Sequence, residues 1–521
     1  MPSSITDNTA TQERVFAFLT DPARHRGVTR IDTHAASVFL DGERALKIKR
    51  AVRFPFLDYS TLEKRKAACE EEIRINRPSA PQIYHRVAAI TEAADGTLSL
   101  DGDGTPIEYA VDMSRFDENR TLDHLAKSGP LDPDLALGVA DAISASHAIA
   151  PHVEPGPWIA GIPRLIDGNS EGLRSGGHFT AAEIAELAAA SQRAFARLRP
   201  LLEQRGRQGF VRRCHGDLHL ANLVMIDEQP VLFDAIEFDP KIASVDVLYD
   251  LAFTLMDLLR HGQQIAANVV FNQYLGNTEI ENLDGLGALP LFMSIRAAIR
   301  AQVLLARLKR PHADQTGTLE DARGYFELAQ ALIRPQSPRL IAVGGLSGTG
   351  KSVMARALAP LVAPQPGAVV LRSDILRKQL FQVKDTDRLP SSAYQADVTE
   401  RVYRELAQRA RRVLAQGHSA IVDAVFAREP ERDAIAALAR ECHVPLSGLF
   451  LVADLATRQA RIGRRHGDAS DATQEVAAQQ EHYNIGNVGW SIIDASGTPE
   501  QSLERCRAEI ARHRRQSDWR G

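Results

Sequence analysis

At residues 344–352 the chain reads Gly-Gly-Leu-Ser-Gly-Thr-Gly-Lys-Ser, behind the apolar run Leu340-Ile341-Ala342-Val343 and ahead of a helical pattern that continues through Leu358. A glycine-rich turn between a buried strand and a helix, spaced G-x-x-x-x-G-K-S from Gly345 to Ser352, calls for a parallel sheet with helices packed on it. In such a turn the backbone N–H groups around Gly345, Ser347, Gly348, Thr349 and Gly350 face inward at a helix N-terminus, where they would cradle phosphate oxygens. Lys351 would then reach the β and γ phosphates of ATP, and Ser352 would offer an oxygen to magnesium. The bland alternative is a plain strand-to-helix turn. It leaves unexplained why the strand and the helix both stand where the motif needs them.

At 521 residues the chain exceeds the roughly 250 to 300 residues at which a single core stops growing, so two domains are expected. Arg334-Pro335-Gln336-Ser337-Pro338 marks the boundary, giving domains 1–335 and 336–521. After it, apolar runs at 340–343, 368–371, 420–422 and 447–452 alternate with helical stretches, which predicts an α/β sheet. Before it, a hairpin is expected over Ser37 to Ile48 with Asp41-Gly42 at the turn, then a helix over Ser60 to Asn76 and a second hairpin within Ala88 to Met113. Helical patterns follow at Leu135–Ala150, Ala181–Arg205, Val245–Arg260 and Leu291–Lys309, so this half reads as α+β, a small sheet followed by a helical lobe.

Composition narrows the partners. With 44% hydrophobic and 25% charged residues and a net charge of -4, the chain is globular and lacks the basic excess of a nucleic-acid binder. Its four cysteines form neither a C-x-x-C pair nor a metal-ligand spacing, which fits a reducing cytoplasm without disulfides or zinc. Met1 to Arg14 has neither a basic start nor an apolar core, and the apolar stretch Val245 to Met256 is broken by Asp246 and Asp250. Neither an export signal nor a membrane span is expected.

In the second half, Asp374 stands just past the apolar run Val369-Val370-Leu371, at the sheet edge where ligands bind in open α/β folds. A carboxylate there could accept the proton of an attacking hydroxyl, with Arg377 one turn later holding an anionic group; otherwise Asp374 caps a helix. Asp423 ends another run and suits an acid that holds magnesium through water, or simply terminates a strand. Arg458, Arg461, Arg464 and Arg465 recur at helical spacing, as in a lid that closes arginines over a transferring phosphate, or as in a solvated basic face.

These residues resemble the family of small P-loop kinases that includes zeta-toxin-like, chloramphenicol phosphotransferase-like and gluconate-kinase-like proteins. The marks are GLSGTGKS at 345–352, SDILRK at 373–378, IVDAVF at 421–426 and RQARIGRRHGDASDA at 458–472. The resemblance implies transfer of the ATP γ-phosphate to a hydroxyl, with Asp374 in the base position; Lys351 from the loop and Arg464 and Arg465 from the lid run are the expected catalytic cations. It names no acceptor.

The first half carries Cys214-His215-Gly216-Asp217-Leu218-His219-Leu220-Ala221-Asn222, with Asp217 and Asn222 five apart, and a second acid, Asp234, after Val231-Leu232-Phe233. That is the spacing of a catalytic aspartate and a magnesium-binding asparagine, with Asp234 suited to a second metal contact. His215 and His219 read as scaffold. Lys47, in Ala45-Leu46-Lys47, matches a phosphate-binding lysine with Glu72 as its ion-pair partner; Lys49 and Glu71 compete for these roles, and ordinary surface charge is the alternative. This half looks like the aminoglycoside phosphotransferase family, with its protein-kinase-like fold, across roughly residues 30 to 310. It departs from the protein-kinase pattern in two places: no G-x-G-x-x-G precedes Lys47, and Asp234 is followed by Ala235-Ile236 instead of Phe-Gly. In that family an acid placed like Asp250 steadies the catalytic loop.

The expected function is an ATP- and magnesium-dependent enzyme whose two halves each phosphorylate a small hydroxylated molecule. Two alternatives stay open: one half binds nucleotide and regulates the other, or the second half is a toxin-like nucleotide-sugar kinase restrained by the first.

Overall fold

The computed structural model describes residues 5–23, 27–33, 35–54, 57–308, 314–464 and 469–518. Two compact units emerge: one of residues 1–188, 195–263 and 295–325, the other of 189–194, 264–294 and 326–521. The units therefore do not divide at the single cut expected after residue 335.

The first unit holds an antiparallel sheet whose strands lie in the order Thr29–Asp32, Ala36–Asp41, Arg44–Lys49, Thr105–Ser114, Tyr84–Glu92, Leu98–Leu100. The expected hairpin is present, with Asp41 opposite Arg44. Strand alternation splits the sheet into two faces. Phe39, Leu46, Ile48, Ile90 and Ala110 pack with Val15, Phe16 and Leu19 of a helix over Ile5–Leu19, which the sequence reading did not anticipate. Leu40, Ala45, Val111 and Met113 pack on the other side with Cys69 of helix Leu62–Asn76. Ala45, Lys47 and Lys49 share that second face. Helices such as Pro133–Ile149, Gly156–Gly176 and Val247–Arg260 form the helical lobe, and a short hairpin, 223–232, and the antiparallel pair of Val211–Arg213 with Ser244–Asp246 frame its polar loop.

The second unit is a five-stranded, all-parallel sheet in the order Val369–Arg372, Ala420–Asp423, Leu340–Gly345, Leu446–Val452, Ser491–Asp494. Its last strand is absent from the sequence reading, because Ser491–Asp494 is short and half exposed at the sheet edge. Helices Lys351–Leu358 and Pro499–Asp518 bury Met354, Leu358 and Cys506 against Ile341, Ile421 and Leu449. Register sets Val343 and Arg372 beside Asp423, so the phosphate-loop motif and both of these charged residues gather at one edge of the sheet.

Residues 264–294 join this unit for a local reason. Strand Val369–Arg372 is an edge strand, and Asn272 of helix Gln264–Asn277 completes it like a residue of a neighbouring strand. Its Oδ1 accepts the Val370 N–H at 2.7 Å, and its Nδ2 donates to the Ala368 carbonyl at 3.1 Å. Asn268 Nδ2 adds bonds of 3.2 Å to the carbonyls of Pro366 and Ala368.

Among the described residues one helical stretch, Ile280–Leu308, is long and apolar enough to cross a membrane, but 72% of its most apolar window is buried inside the protein, as in a core helix.

Candidate functional sites

In the first unit Lys47 and Lys49 stand two apart on one strand, so both face helix Leu62–Asn76. Lys47 Nζ lies 2.8 Å from Glu72 Oε1 and 2.7 Å from Asp234 Oδ1. Glu71 turns away and pairs with Arg74 at 2.6 Å. Burial pulls the Lys47 ammonium down, but Asp234 and Glu72 more than offset it and hold it well above the usual lysine value. Burial likewise pushes Glu72 and Asp234 up, and the lysines bring both below the usual carboxylate range. At neutral pH the whole cluster is ionised. Asp234 adopts a left-handed φ of 60°, a strained geometry that persists only where neighbours fix it. Here the Tyr84 hydroxyl accepts the Asp234 N–H at 3.1 Å, and Asn76 Oδ1 accepts that of Ala235 at 2.7 Å.

The polar loop 214–222 is held from beneath by helix Val247–Arg260. Asp250 accepts the N–H groups of His215 and Gly216 at 3.2 and 2.9 Å and lies 3.2 Å from His147 Nε2. Gly216 has φ 86°, and a Cβ there would come within 2.7 Å of Ala243 Cβ. Asp257, oriented by the Tyr325 hydroxyl, accepts the Leu220 N–H at 2.9 Å. Asp246 caps the helix, accepting from Leu248 N–H at 2.9 Å and from Arg205 at 2.7 and 2.8 Å, so it precedes the helix turn that carries Asp250. His215 is buried and bonds the Phe233 carbonyl through Nε2 at 2.9 Å, tying the loop to the segment that carries Asp234. Held this way, Asn222 Nδ2 donates to the Asp217 carbonyl at 2.8 Å and to its Oδ2 at 3.3 Å. The Asp217 side chain stays 41% exposed. Withdrawal from water pushes its carboxyl up, yet His219 beside it, together with His215 and Arg296, more than offsets this and leaves it far below the usual carboxylate range.

In the second unit, Gly345 ends its strand and Lys351 begins the helix. Gly348, at φ 88°, passes so close to the chain at Arg458 that a Cβ would lie 2.6 Å from its carbonyl oxygen. Thr349 Oγ1 closes the loop on the Leu346 carbonyl at 2.8 Å, and Lys351 Nζ rests 3.2 Å from that same carbonyl. Ser347 is gripped by Gln480, which accepts its N–H at 2.7 Å and donates to its Oγ at 3.1 Å. No local sequence signal marks Gln480.

Asp374 lies in the first turn of helix Ser373–Leu380, whose N-cap is Arg372, so Asp374 is not the capping residue. Burial and the nearby Asp423 raise its carboxyl above the usual range, against the pull of Lys351 and Arg372. Asp423 is buried and accepts from Arg372 Nε at 3.3 Å, a partner the sequence reading passed over.

The arginines divide. Arg377 is buried, donates to the Ala393 carbonyl at 2.6 Å and lies over the Tyr394 ring at 4.9 Å, so part of its guanidinium serves the fold. Arg458 is buried too, donating to the carbonyls of Ser347 at 2.8 Å and Ala477 at 3.0 Å. Arg461 bonds the carbonyls of Ala495 and Gly497, each at 2.8 Å. These last two stitch the phosphate loop to its surroundings and are not free to close on a phosphate. Arg464 is exposed at the end of helix Leu455–Gly463, and Arg465 lies outside the described residues.

Residues 74–286 match the model of the phosphotransferase enzyme family, and residues 340–483 match that of an AAA domain. Uncharacterized proteins of Mycobacterium tuberculosis and Mycobacterium bovis are each 28% identical over 508 residues, covering 91% of this chain and 93% of their own length. Among solved structures, a gluconokinase from Sinorhizobium meliloti is 19% identical and covers 36% of this chain and 99% of its own, with a TM-score of 0.28. A choline/ethanolamine kinase family protein from Mesorhizobium loti is 15% identical, covering 62% of this chain and 99% of its own, with a TM-score of 0.37.

Proposed function

We propose that this ATP-dependent phosphotransferase, a phosphotransferase-family domain followed by a P-loop kinase domain, works at two separate centres, each passing the ATP γ-phosphate to a hydroxyl of a small molecule. The observation that carries this reading is that each unit keeps its own full set of parts. Lys47, Asp217, Asn222 and Asp234 stand in the first unit; Lys351, Ser352, Asp374 and Asp423 stand in the second. A unit reduced to regulation has no need to keep a positioned carboxylate and hard oxygen donors together.

The residues present suit magnesium. Asn222 spends its NH2 on Asp217, which leaves its amide oxygen, with the ionised Asp234, as donors of the type the ion takes. Ser352 and Asp423 offer the same chemistry in the second unit. Bound there, the ion supplies charge neutralisation on the phosphate oxygens. The chain's own residues supply the rest. Lys47 and Lys351 place ammonium charge at the phosphates, and the backbone N–H groups of 345–350 cradle them. Asp217 orients an acceptor hydroxyl as a permanently ionised acid. Asp374, with its raised carboxyl, takes the proton as a stronger base. Arg377 and the exposed Arg464, with Arg465, are the cations through which an anionic acceptor or the transferring phosphate would be held.

The test is transfer of label from γ-labelled ATP by the full chain to a panel of sugars, aminoglycosides, amino alcohols and nucleosides. Labelled small-molecule product supports the reading, and label found only in protein or short RNA contradicts it.

A further inference from the structure

A second lysine in the first unit has a partner set that the roles above do not use. Lys49 is only 2% exposed; its Nζ lies 2.5 Å from Glu72 Oε2, and it also pairs with Glu237. Glu237, itself buried, accepts from the Tyr59 hydroxyl at 3.0 Å. Glu72 is thus shared, one oxygen to Lys47 and the other to Lys49. Glu237 follows Asp234 by three residues, so the network links the strand of both lysines, the helix of Glu72 and the segment of Asp234.

We infer that Lys49 and Glu237 are positioning residues: by occupying Glu72 Oε2 they leave Oε1 alone for Lys47, which keeps the Lys47 ammonium between Glu72 and Asp234, where nucleotide phosphates would meet it. The inference rests on the phosphate-binding role proposed for Lys47. The placement of charge supports it. Asp234 gives Lys47 a carboxylate besides Glu72, and Glu237 gives Lys49 one, so neither ammonium has to draw on both oxygens of Glu72. A buried charge stripped of its partner is strongly unfavourable, so the four side chains hold one another in place. The device also answers a sequence departure. Ala235-Ile236 stand where a protein kinase has Phe-Gly, and here the segment after Asp234 is anchored by an ion pair to the lysine strand.

The test is calorimetric titration of magnesium–ATP into the full chain carrying Lys351→Ala, so that the first unit alone reports. Glu237→Gln should weaken ATP binding by about tenfold or more, as loss of an outer-shell orienting group does. Because that variant leaves Lys49 without its counter-charge and can fail to fold, the decisive variant is Lys49→Met with Glu237→Leu and Tyr59→Phe, which removes the network at similar volume. Positioning predicts a folded protein with ATP binding still weakened by about tenfold, since Glu72 is then free to draw Lys47 onto both its oxygens. ATP affinity within twofold of the parent in that folded variant overturns the inference, because a merely structural network would be replaced without loss. Lys47→Ala separates the two levels of the argument. If it binds ATP as the parent does, the phosphate role of Lys47 falls and the inference with it; if it weakens binding while the triple variant does not, the inference alone falls.

Discussion

Asp217 and Asp374 are offered to hydroxyls in two different settings, and their surroundings drive their acidities apart. His219 holds the first down, whereas burial and Asp423 hold the second up. Asp217→Asn keeps the side-chain size but loses the negative charge that orients the acceptor hydroxyl; it should lower turnover at the first centre by on the order of 10² to 10⁴ with ATP affinity little changed, read from kcat and a binding titration. For Asp374 the raised carboxyl predicts an acid limb in the pH profile of the second centre. Activity is lost as pH falls through a value above the roughly 3.9 of a free aspartate. Asp423→Asn removes the repulsion and should shift that limb to lower pH, whatever it does to the maximum rate. Stability has the opposite sign. The native state holds this proton more tightly than the unfolded chain, so the group's contribution is full below its unfolded pKa and lost as pH rises through the folded one. Asp374→Asn should therefore raise Tm at neutral pH and leave it unchanged at low pH, which scanning calorimetry checks.

At the scale of elements, the edge strand Val369–Arg372 leads straight into Asp374, and its free edge is closed by Asn268 and Asn272. Asn272→Ala breaks two of these bonds and strands the Val370 N–H, a cost of about 1 to 3 kcal/mol. Hydrogen exchange should show faster exchange at Val370, with strand Leu340–Gly345 unchanged. The same contacts predict that a fragment beginning at residue 338 exposes this strand and melts lower, or associates, unless 264–294 is supplied. Regular elements were legible from sequence where the pattern was local. The Asp41-Gly42 hairpin, the helix ending at Asn76, the phosphate loop, the strand that leads into Asp374 and the strand that ends in Asp423 all follow from period and turn residues. Helix Gln264–Asn277 was not, because what places it is a pair of asparagines bonding a strand about a hundred residues away. Lys47 and Lys49 could not be told apart for a related reason. Both fall on the same face at a spacing of two, and only the fold shows that Glu72 is shared and that Glu237 takes the second. Arg458 and Arg461 fit a helical period equally well as lid or scaffold, and their carbonyl partners decide for scaffold.

For the whole molecule the central claim is that two phosphotransfer centres work on one chain without sharing residues. Since 264–294 belongs with the second unit, cutting the chain after residue 335 would damage that unit, and single-site variants of the full protein are the sounder tool. The direct measurement is acceptor-dependent ADP release by the full chain, by Lys351→Ala, by Asp217→Asn and by the double variant, across one panel of hydroxylated small molecules. The account predicts that Lys351→Ala removes release with one set of acceptors, Asp217→Asn removes it with another, and the double variant removes both. Loss of every activity with either single variant would mean one composite centre, and full activity in Asp217→Asn would mean that the first unit binds nucleotide without chemistry; either result contradicts the account.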